Sequence, residues 1–165
     1  MLQLIEIRTE RLVLTPLDPD LVAALSAGDF SVVKCGEGWP HADTRDGLSV
    51  ATECGGWLVT RSGLAIGDCG LVGAVTADGD IEIGYGLGLP SRGLGLGSEL
   101  VKGLSAWLLE QESIARVVAV VGLDNRPSRR SLEAAGFAVD HADERSATYA
   151  LAAPAARSHR GGSHR

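Results

Sequence analysis

Apolar and polar residues alternate most clearly in the middle of the chain, over residues 81 to 87. The apolar side chains of this segment share one face of a predicted strand: Ile81, Ile83, Tyr85 and Leu87. Residues 115 to 121 form a continuous apolar run that is rich in Val and too short for a helix. This run predicts a second strand, buried on both faces.

Helical spacing of apolar residues separates these two strands. The positions that form one stripe are Leu100, Val101, Leu104, Trp107 and Leu108. The stripe predicts a helix that begins at Gly97-Ser98. After the second strand, Asn125 can cap a short helix, Pro127 suits its first turn and Gly136 ends it.

The first half of the chain is less regular. Residues 4 to 17 predict one strand, which Pro16 and Pro19 end. Asp20 is a candidate cap for a short helix that ends at Gly28. A second helix is predicted to begin at Asp43 or Thr44 and to end after Cys54.

Three further strands complete the predicted sheet. Residues 57 to 60 and 64 to 74 predict two strands, and residues 148 to 151 predict the last. Asp78-Gly79-Asp80 is a turn signal that joins the second of these to residues 81 to 87 as a hairpin.

The length of 165 residues fits one domain, which we place at residues 1–153. Residues 154–165 read as a flexible basic tail; its two histidines, His159 and His164, lack the fixed geometry of a metal site. A net charge of −6 argues against nucleic acid as a partner and suits a cationic substrate.

The cysteines give no sign of a disulfide framework or a zinc site. They number three, without a CxxC pair: Cys35, Cys54 and Cys69. The N-terminus lacks the pattern of a signal peptide, and no run of apolar residues is long enough to span a membrane. We therefore expect a cytoplasmic protein with no metal and no membrane partner.

The segment from Leu89 to Glu99 carries the clearest chemical signal. Gly93, Gly95 and Gly97 alternate in a loop between a strand and a helix, so the backbone can approach a ligand closely. The unpaired N–H groups of the first helical turn suit a phosphate, and Arg92 adds a positive charge.

Three kinds of phosphate loop can be compared with this segment. A P-loop requires Lys where the chain has Leu94, and a dinucleotide fingerprint requires Gly where it has Ser98 or Leu100. The third pattern is Gln/Arg-x-x-Gly-x-Gly/Ala, the pyrophosphate loop of GNAT acetyltransferases. Arg92, Gly95 and Gly97 match it at every defined position.

Two motifs in order resemble the GNAT N-acetyltransferases, in particular their RimJ/RimL-like group (ribosomal-protein-alanine acetyltransferase-like). The first joins residues 82 to 87 to the loop at residues 92 to 97, and the second covers residues 124 to 137. The opening segment, residues 8 to 14, also resembles the usual start of that group. The likeness is strong over residues 81 to 137 and weak over residues 18 to 70.

The resemblance implies an α+β fold with α/β/α layers. Its mixed, mostly antiparallel sheet would have six to seven strands flanked by helices, with a V-shaped split between strands 4 and 5. Acetyl-CoA, the implied co-substrate, would lie in that split. The residues expected to bind it are Leu87, Leu89, Arg92, Gly93, Leu94, Gly95, Leu96, Gly97, Ser98, Asn125 and Ser128.

The implied reaction moves an acetyl group to a primary amine by direct attack in a ternary complex. The amine must lose a proton, and the carbonyl oxygen needs a donor as it gains charge. Glu82 is the candidate base, directly or through water, and the backbone N–H of Leu87 is the candidate oxyanion donor. In the resembling group a Ser at the position of Ser128 can act as the acid, so Ser128 is the candidate here. Many GNAT enzymes instead use a Tyr at the position of Leu132, and Tyr85 or water stays open as an alternative acid.

The acceptor is an unidentified small-molecule or peptide amine. The residues expected to shape its pocket are Glu37, His41, Asp43 and Asp46. Arg129 and Arg130 are further candidates for contact with the phosphates of the cofactor. A non-catalytic CoA-binding or sensor module with the same fold stays open as an alternative, and the protein is expected to be a monomer or a homodimer.

Overall fold

The computed structural model describes residues 2–154, in which one sheet of eight strands is flanked by four α-helices. The strands are β1 (Ile7–Arg8), β2 (Val13–Pro16), β3 (Gly56–Arg61), β4 (Leu64–Val72), β5 (Asp80–Leu87), β6 (Arg116–Gly122), β7 (Ala138–Ala142) and β8 (Ser146–Ala152). The helices are α1 (Pro19–Ser26), α2 (Thr44–Cys54), α3 (Leu96–Leu109) and α4 (Arg126–Ala134). The predicted tail lies almost entirely outside the described residues.

The strands follow the order β1-β2-β3-β4-β5-β6-β8-β7. Every neighbouring pair is antiparallel except β5 and β6, which are parallel. This confirms the predicted mixed, mostly antiparallel sheet. The strand count exceeds the predicted six to seven for two separate reasons.

The first reason is a turn inside the segment predicted as one strand. Thr9 donates its N–H to the carbonyl of Leu12, and Ile7 pairs with Leu14 across the resulting hairpin. The polar residues Thr9, Glu10 and Arg11 therefore lie in a turn, and the prediction of one continuous strand over residues 4 to 17 was wrong. The second reason is β7, whose five residues are all exposed, so it carries no apolar alternation.

Helix boundaries agree with the sequence except at α1. Asp18, and not Asp20, caps that helix, because its carboxylate accepts the N–H of Leu21 at 2.8 Å. Pro19 then occupies the first turn, where a missing N–H costs nothing. The boundaries predicted for α2 and the Asn125 cap of α4 are confirmed.

Each face of the sheet buries its own set of side chains. Trp57 and Val59 lie in the larger core cluster together with Leu100 and Leu104 of α3. Leu58, between them in sequence, lies in a second cluster with Leu25 of α1 and Leu48 of α2. Alternation along β3 therefore places α3 and α4 on one face and α1 and α2 on the other.

The sheet splits between β5 and β6. These strands pair over only three residues, from Asp80 with Arg116 to Glu82 with Val118. Beyond that point β5 continues to pair with β4 as far as Leu87, and β6 continues to pair with β8 as far as Gly122. The predicted V-shaped split is confirmed, and it lies between the two strands that the sequence indicated.

Candidate active site

The glycine-rich loop lies at the open end of the split. Gly93 and Gly95 both have φ near +76°, a left-handed conformation that side chains with a Cβ adopt at a cost. Gly95 occupies the N-cap position of α3, so the first amides of the helix follow directly. Free amides at a helix start, with the positive end of its dipole, favour a phosphate group.

Gly97 allows α3 to approach α4. A Cβ at this position would lie 2.7 Å from Oγ of Ser131, which is closer than real contacts allow. Asn125 fixes the start of α4, because its Oδ1 accepts the N–H of Ser128 at 3.3 Å. The two helix starts therefore lie side by side at the mouth of the split.

Together these elements enclose a cavity of about 490 Å³. From β5 and the loop it is lined by Leu87, Arg92, Gly93, Gly95, Gly97 and Ser98. From α4 and its cap it is lined by Asn125, Ser128 and Arg130. The structure thus brings most of the predicted cofactor residues into one cleft.

Three predicted cofactor residues direct their side chains elsewhere. Leu89 and Leu94 are 73% and 49% exposed, and Leu96 is buried in the core beneath α3. Contacts of these residues with a ligand in the cleft would therefore come from the backbone, as the predicted use of loop amides requires.

The backbone of Leu87 faces the split. The neighbouring N–H of Gly88 donates to Ile66 in β4 at 2.8 Å. Since hydrogen-bonded pairs alternate along an antiparallel ladder, Leu87 directs its own N–H and carbonyl away from β4. Nε of Arg92 donates to that carbonyl at 3.0 Å, which fixes the backbone of Leu87 against the loop.

A polar contact that the sequence did not reveal supports the loop from the other side. Arg11 donates from Nε to Glu99 and from Nη1 to the carbonyl of Leu94. Burial alone would raise the pKa of Glu99, but the donors Thr9 and Arg11 hold the pKa below its usual value. In the sequence, Arg11 and Glu99 are two residues of opposite charge in separate segments. Only the fold shows that these segments meet.

Glu82 lies at the closed end of the split. It pairs with Val72 on one side and Val118 on the other, and it is half-buried. Burial raises the pKa of its carboxyl, as suits a group that accepts protons. It is not among the residues that line the cavity, so the structure does not bring it together with Ser128 and Leu87.

Tyr85 crosses the split. Its hydroxyl donates to the carbonyl of Ser128 at 3.2 Å, and burial raises the pKa of the phenol. Arg129 instead donates to the hydroxyl of Tyr149 at 3.1 Å and to the carbonyl of Leu123 at 3.0 Å. Arg129 therefore joins α4 to β8 and to the segment after β6. Arg130 lines the cavity.

A second cavity, of about 220 Å³, lies between α2 and the sheet. It shares its boundary with the first through His41, Asp43, Tyr85 and Gly86, which line both. Asp46 lines only the second cavity. Of the residues predicted to shape the acceptor pocket, three thus reach a cavity beside the cleft, and Glu37 does not.

Asp68 of β4 is the residue of this region that the sequence analysis missed. It is only 8% exposed. Its Oδ2 accepts Nε1 of Trp39 at 2.9 Å and Oγ1 of Thr44 at 3.0 Å. The available signal was the position of Asp68 inside a run of apolar residues and glycines. A carboxylate that is buried there must find hydrogen-bond partners.

Within residues 2–154 no cluster of three or more His, Cys, Asp or Glu side chains is placed to hold a metal ion. The longest described helix, α3, has 14 residues. In the same part of the chain no helix combines the length and the hydropathy that crossing a bilayer requires.

A sheet that splits beside a glycine-rich loop and a helix start is the arrangement that the motifs predicted for an acetyltransferase. Residues 11–138 match the family described as Acetyltransferase (GNAT) domain. The chain belongs to this family of acetyltransferases, which confirms the predicted fold and enzyme class.

Relatives and solved structures agree with this assignment. An uncharacterized N-acetyltransferase of Bacillus subtilis (strain 168), YjdG, is 28% identical over 153 residues, covering 82% of this chain and 90% of its own. A GNAT-family acetyltransferase from Bacillus anthracis has a TM-score of 0.67 at 18% identity, covering 90% of this chain and 98% of its own. RimL, a ribosomal L7/L12 alpha-N-protein acetyltransferase solved with coenzyme A, also has a TM-score of 0.67 at 18% identity, covering 90% of this chain and 98% of its own, and so shares the fold.

Proposed function

We propose that this protein transfers the acetyl group of acetyl-CoA to a primary amine by direct attack in a ternary complex. The observation that carries the proposal is the cleft at the split, where the left-handed glycines and the start of α3 meet Leu87 and the start of α4. The coenzyme A in the RimL structure supports the choice of donor.

The cofactor would bind through backbone and side-chain groups of the loop. Amides of residues 93 to 98 and the guanidinium of Arg92 would hold the pyrophosphate, since a helix start and a cation both favour an anion. The pantetheine arm would pair with the backbone of residues 87 to 89, taking the place of Arg92 at the carbonyl of Leu87. Asn125 and Ser128 would contact it from the opposite wall.

The acetyl carbonyl would then lie near the N–H of Leu87. That N–H points into the split, so it can donate to the oxygen as negative charge develops. A bound cofactor and an amine held side by side lose little further freedom on reaction. Ser128 is placed in the same cleft and is the candidate donor of a proton to the leaving thiolate.

The sequence suggested Glu82 as the base; it lines neither cavity, so in that role it would act only through water from the closed end of the split. Its raised pKa fits the role. The acceptor would enter from the cavity beside α2, whose carboxylates Asp43 and Asp46 suit a cationic amine. The free thiols of the three cysteines suit a reducing compartment, and we retain the cytoplasm as the expected location.

Calorimetric titration with acetyl-CoA, followed by a screen of amines for release of CoA, tests the proposal. Micromolar binding with turnover of at least one amine supports it. Binding without turnover of any peptide or small-molecule amine favours the non-catalytic CoA-binding module instead. Absence of binding contradicts both.

A further inference from the structure

We propose that His41 takes the proton from the attacking amine and that Asp68 positions its imidazole ring. This inference rests on the proposed function and assigns a group to the step for which the sequence suggested Glu82. Its basis is a buried polar arrangement at the junction of the two cavities, on the opposite wall from Ser128.

His41 lies where the two cavities meet. It lies on the loop before α2 and lines both the cofactor cleft and the cavity beside α2. An amine that enters from the second cavity and attacks a thioester in the first must pass this junction. Glu82, by contrast, lines neither cavity.

Gly86 shows that the strand accommodates the ring. A Cβ at this position would lie 2.8 Å from both Cε1 and Nε2 of His41, so any other residue would displace the imidazole. Gly86 directly precedes Leu87, the proposed oxyanion donor. The ring therefore lies against β5 one residue from the place where the acetyl carbonyl is expected.

The ring nitrogens have different surroundings. Nε2 is fully buried and lies 3.2 Å from Oδ2 of Asp68, at ion-pair distance but without hydrogen-bond alignment. Nδ1 accepts the N–H of Asp43 at 3.3 Å, a long bond that an amine can replace. The neutral ring thus carries its proton on Nε2 and its lone pair on Nδ1. Nδ1 lies beside Asp43, which lines both cavities.

Asp68 is itself held in place. The indole of Trp39 and the hydroxyl of Thr44 both donate to the oxygen that faces His41. The side chain of His41 is only 9% exposed, so a ring that gains a proton there needs this carboxylate. Contact with Asp68 raises the pKa of His41, while burial opposes the change.

The charged and titratable groups around the ring come from three elements. They are Asp68 and Cys69 on β4, Tyr85 on β5, and Asp43, Arg45, Asp46 and Glu53 on α2 and its cap. Carboxylates predominate, which favours a protonated ring after the transfer and also favours an approaching ammonium ion.

The neutral amine nitrogen forms a bond to the acetyl carbon, the carbon–sulfur bond breaks, and the electron pair leaves on sulfur. The proton lost from nitrogen passes to Nδ1 of His41. The ring later releases it to the thiolate or to water, and the products are the N-acetyl amine and CoA.

The test compares pH profiles of kcat/KM, calculated for the neutral amine, in four forms of the full chain. Asn in His41→Asn keeps an oxygen near the position of Nδ1 and cannot take up a proton. We expect this variant to lose about 10²-fold to 10⁴-fold in kcat, to lose the acid limb of the profile, and to bind acetyl-CoA like the wild type.

Asp68→Asn and Glu82→Gln complete the set. Since Asp68 raises the pKa of His41, its replacement should move the acid limb to lower pH without removing it. Glu82→Gln should keep the acid limb. The proposal is overturned if the kcat of His41→Asn stays within threefold of the wild-type value. It is also overturned if this variant loses acetyl-CoA binding together with activity, or if Glu82→Gln alone removes the acid limb of the profile. A wild type that turns over no amine contradicts the proposed function instead.

Discussion

Arg11 contacts Glu99 with two groups at once, because its Nε donates to Oε1 and its backbone N–H donates to Oε2, each at 2.8 Å. This pair joins the turn between β1 and β2 to the first turn of α3. A carboxylate so near an expected pyrophosphate would repel it. Arg11 compensates that charge and also holds the carbonyl of Leu94.

Replacing Arg11 with Ala should therefore weaken acetyl-CoA binding. We expect at least a tenfold rise in Kd, which corresponds to about 1.4 kcal/mol, because the carbonyl of Leu94 loses a donor and Glu99 loses its cationic partner. Calorimetric titration measures the change. Arg8→Ala is the matched control, since its side chain is 72% exposed and pairs with the neighbouring Glu6; an equal loss in both variants would contradict the prediction.

Gly95→Ala should separate backbone strain from ligand binding. Gly95 and Gly63 share a left-handed conformation, with φ of +76° and +79°. Each substitution should cost about 1 kcal/mol or more of folding stability, measured by urea unfolding. Only Gly95→Ala should also weaken acetyl-CoA binding, because Gly63 lies in the turn between β3 and β4. Equal binding by both variants would show that the loop conformation is unimportant for the ligand.

Tyr85→Phe should affect stability more than chemistry. The lost hydrogen bond to the carbonyl of Ser128 should cost about 1 kcal/mol, measured by thermal or urea unfolding. Because the hydroxyl is already engaged with that carbonyl, we expect kcat to fall less than tenfold. A loss of a hundredfold or more would identify Tyr85 as the acid that protonates the leaving thiolate.

The stability of the fold should depend on an ion cluster at the closed end of the split. Arg116 lowers the pKa of Asp80, and His141 and Arg116 lower the pKa of Asp140. Lowered folded-state values mean that this stabilisation is present above the unfolded pKa of about 3.9 and is lost as the pH falls further. Arg116→Gln should therefore destabilise the protein at pH 7 and much less near pH 3.

Urea unfolding at both pH values measures this difference. Arg8→Gln serves as the control, since the exposed pair with Glu6 should contribute little at either pH. A destabilisation by Arg116→Gln that is equal at both pH values would assign the effect to packing of the long side chain.

The parts of the fold with a strong local pattern were predictable. The alternation at Ile81 and Ile83 and the glycine loop before α3 need only neighbouring residues to be recognised. The turn at Thr9 and the exposed strand β7 carry no such pattern, because polar and small residues fit several conformations equally well. Tertiary contacts decide these segments.

The candidate site divides in the same way. Residues of the cofactor cleft lie within two continuous motifs, so the sequence identified them together. The contact of His41 with Asp68 joins a loop to a strand 27 residues later, and nothing in the local sequence of either residue indicates the other. The sequence therefore predicted His41, Asp43 and Asp46 on the acceptor side, whereas Asp68 and its contact with His41 emerged only from the structure.

The split also places a strand edge inside the molecule. A free edge on the outside of a sheet invites pairing with another chain and so promotes aggregation. The edge of β5 beyond Glu82 is instead enclosed by β6, the glycine loop and the start of α4. A folded neighbouring protein cannot reach this edge, whereas a thin, extended molecule can. An edge that would promote aggregation on the outside therefore selects ligands by their shape in the cleft.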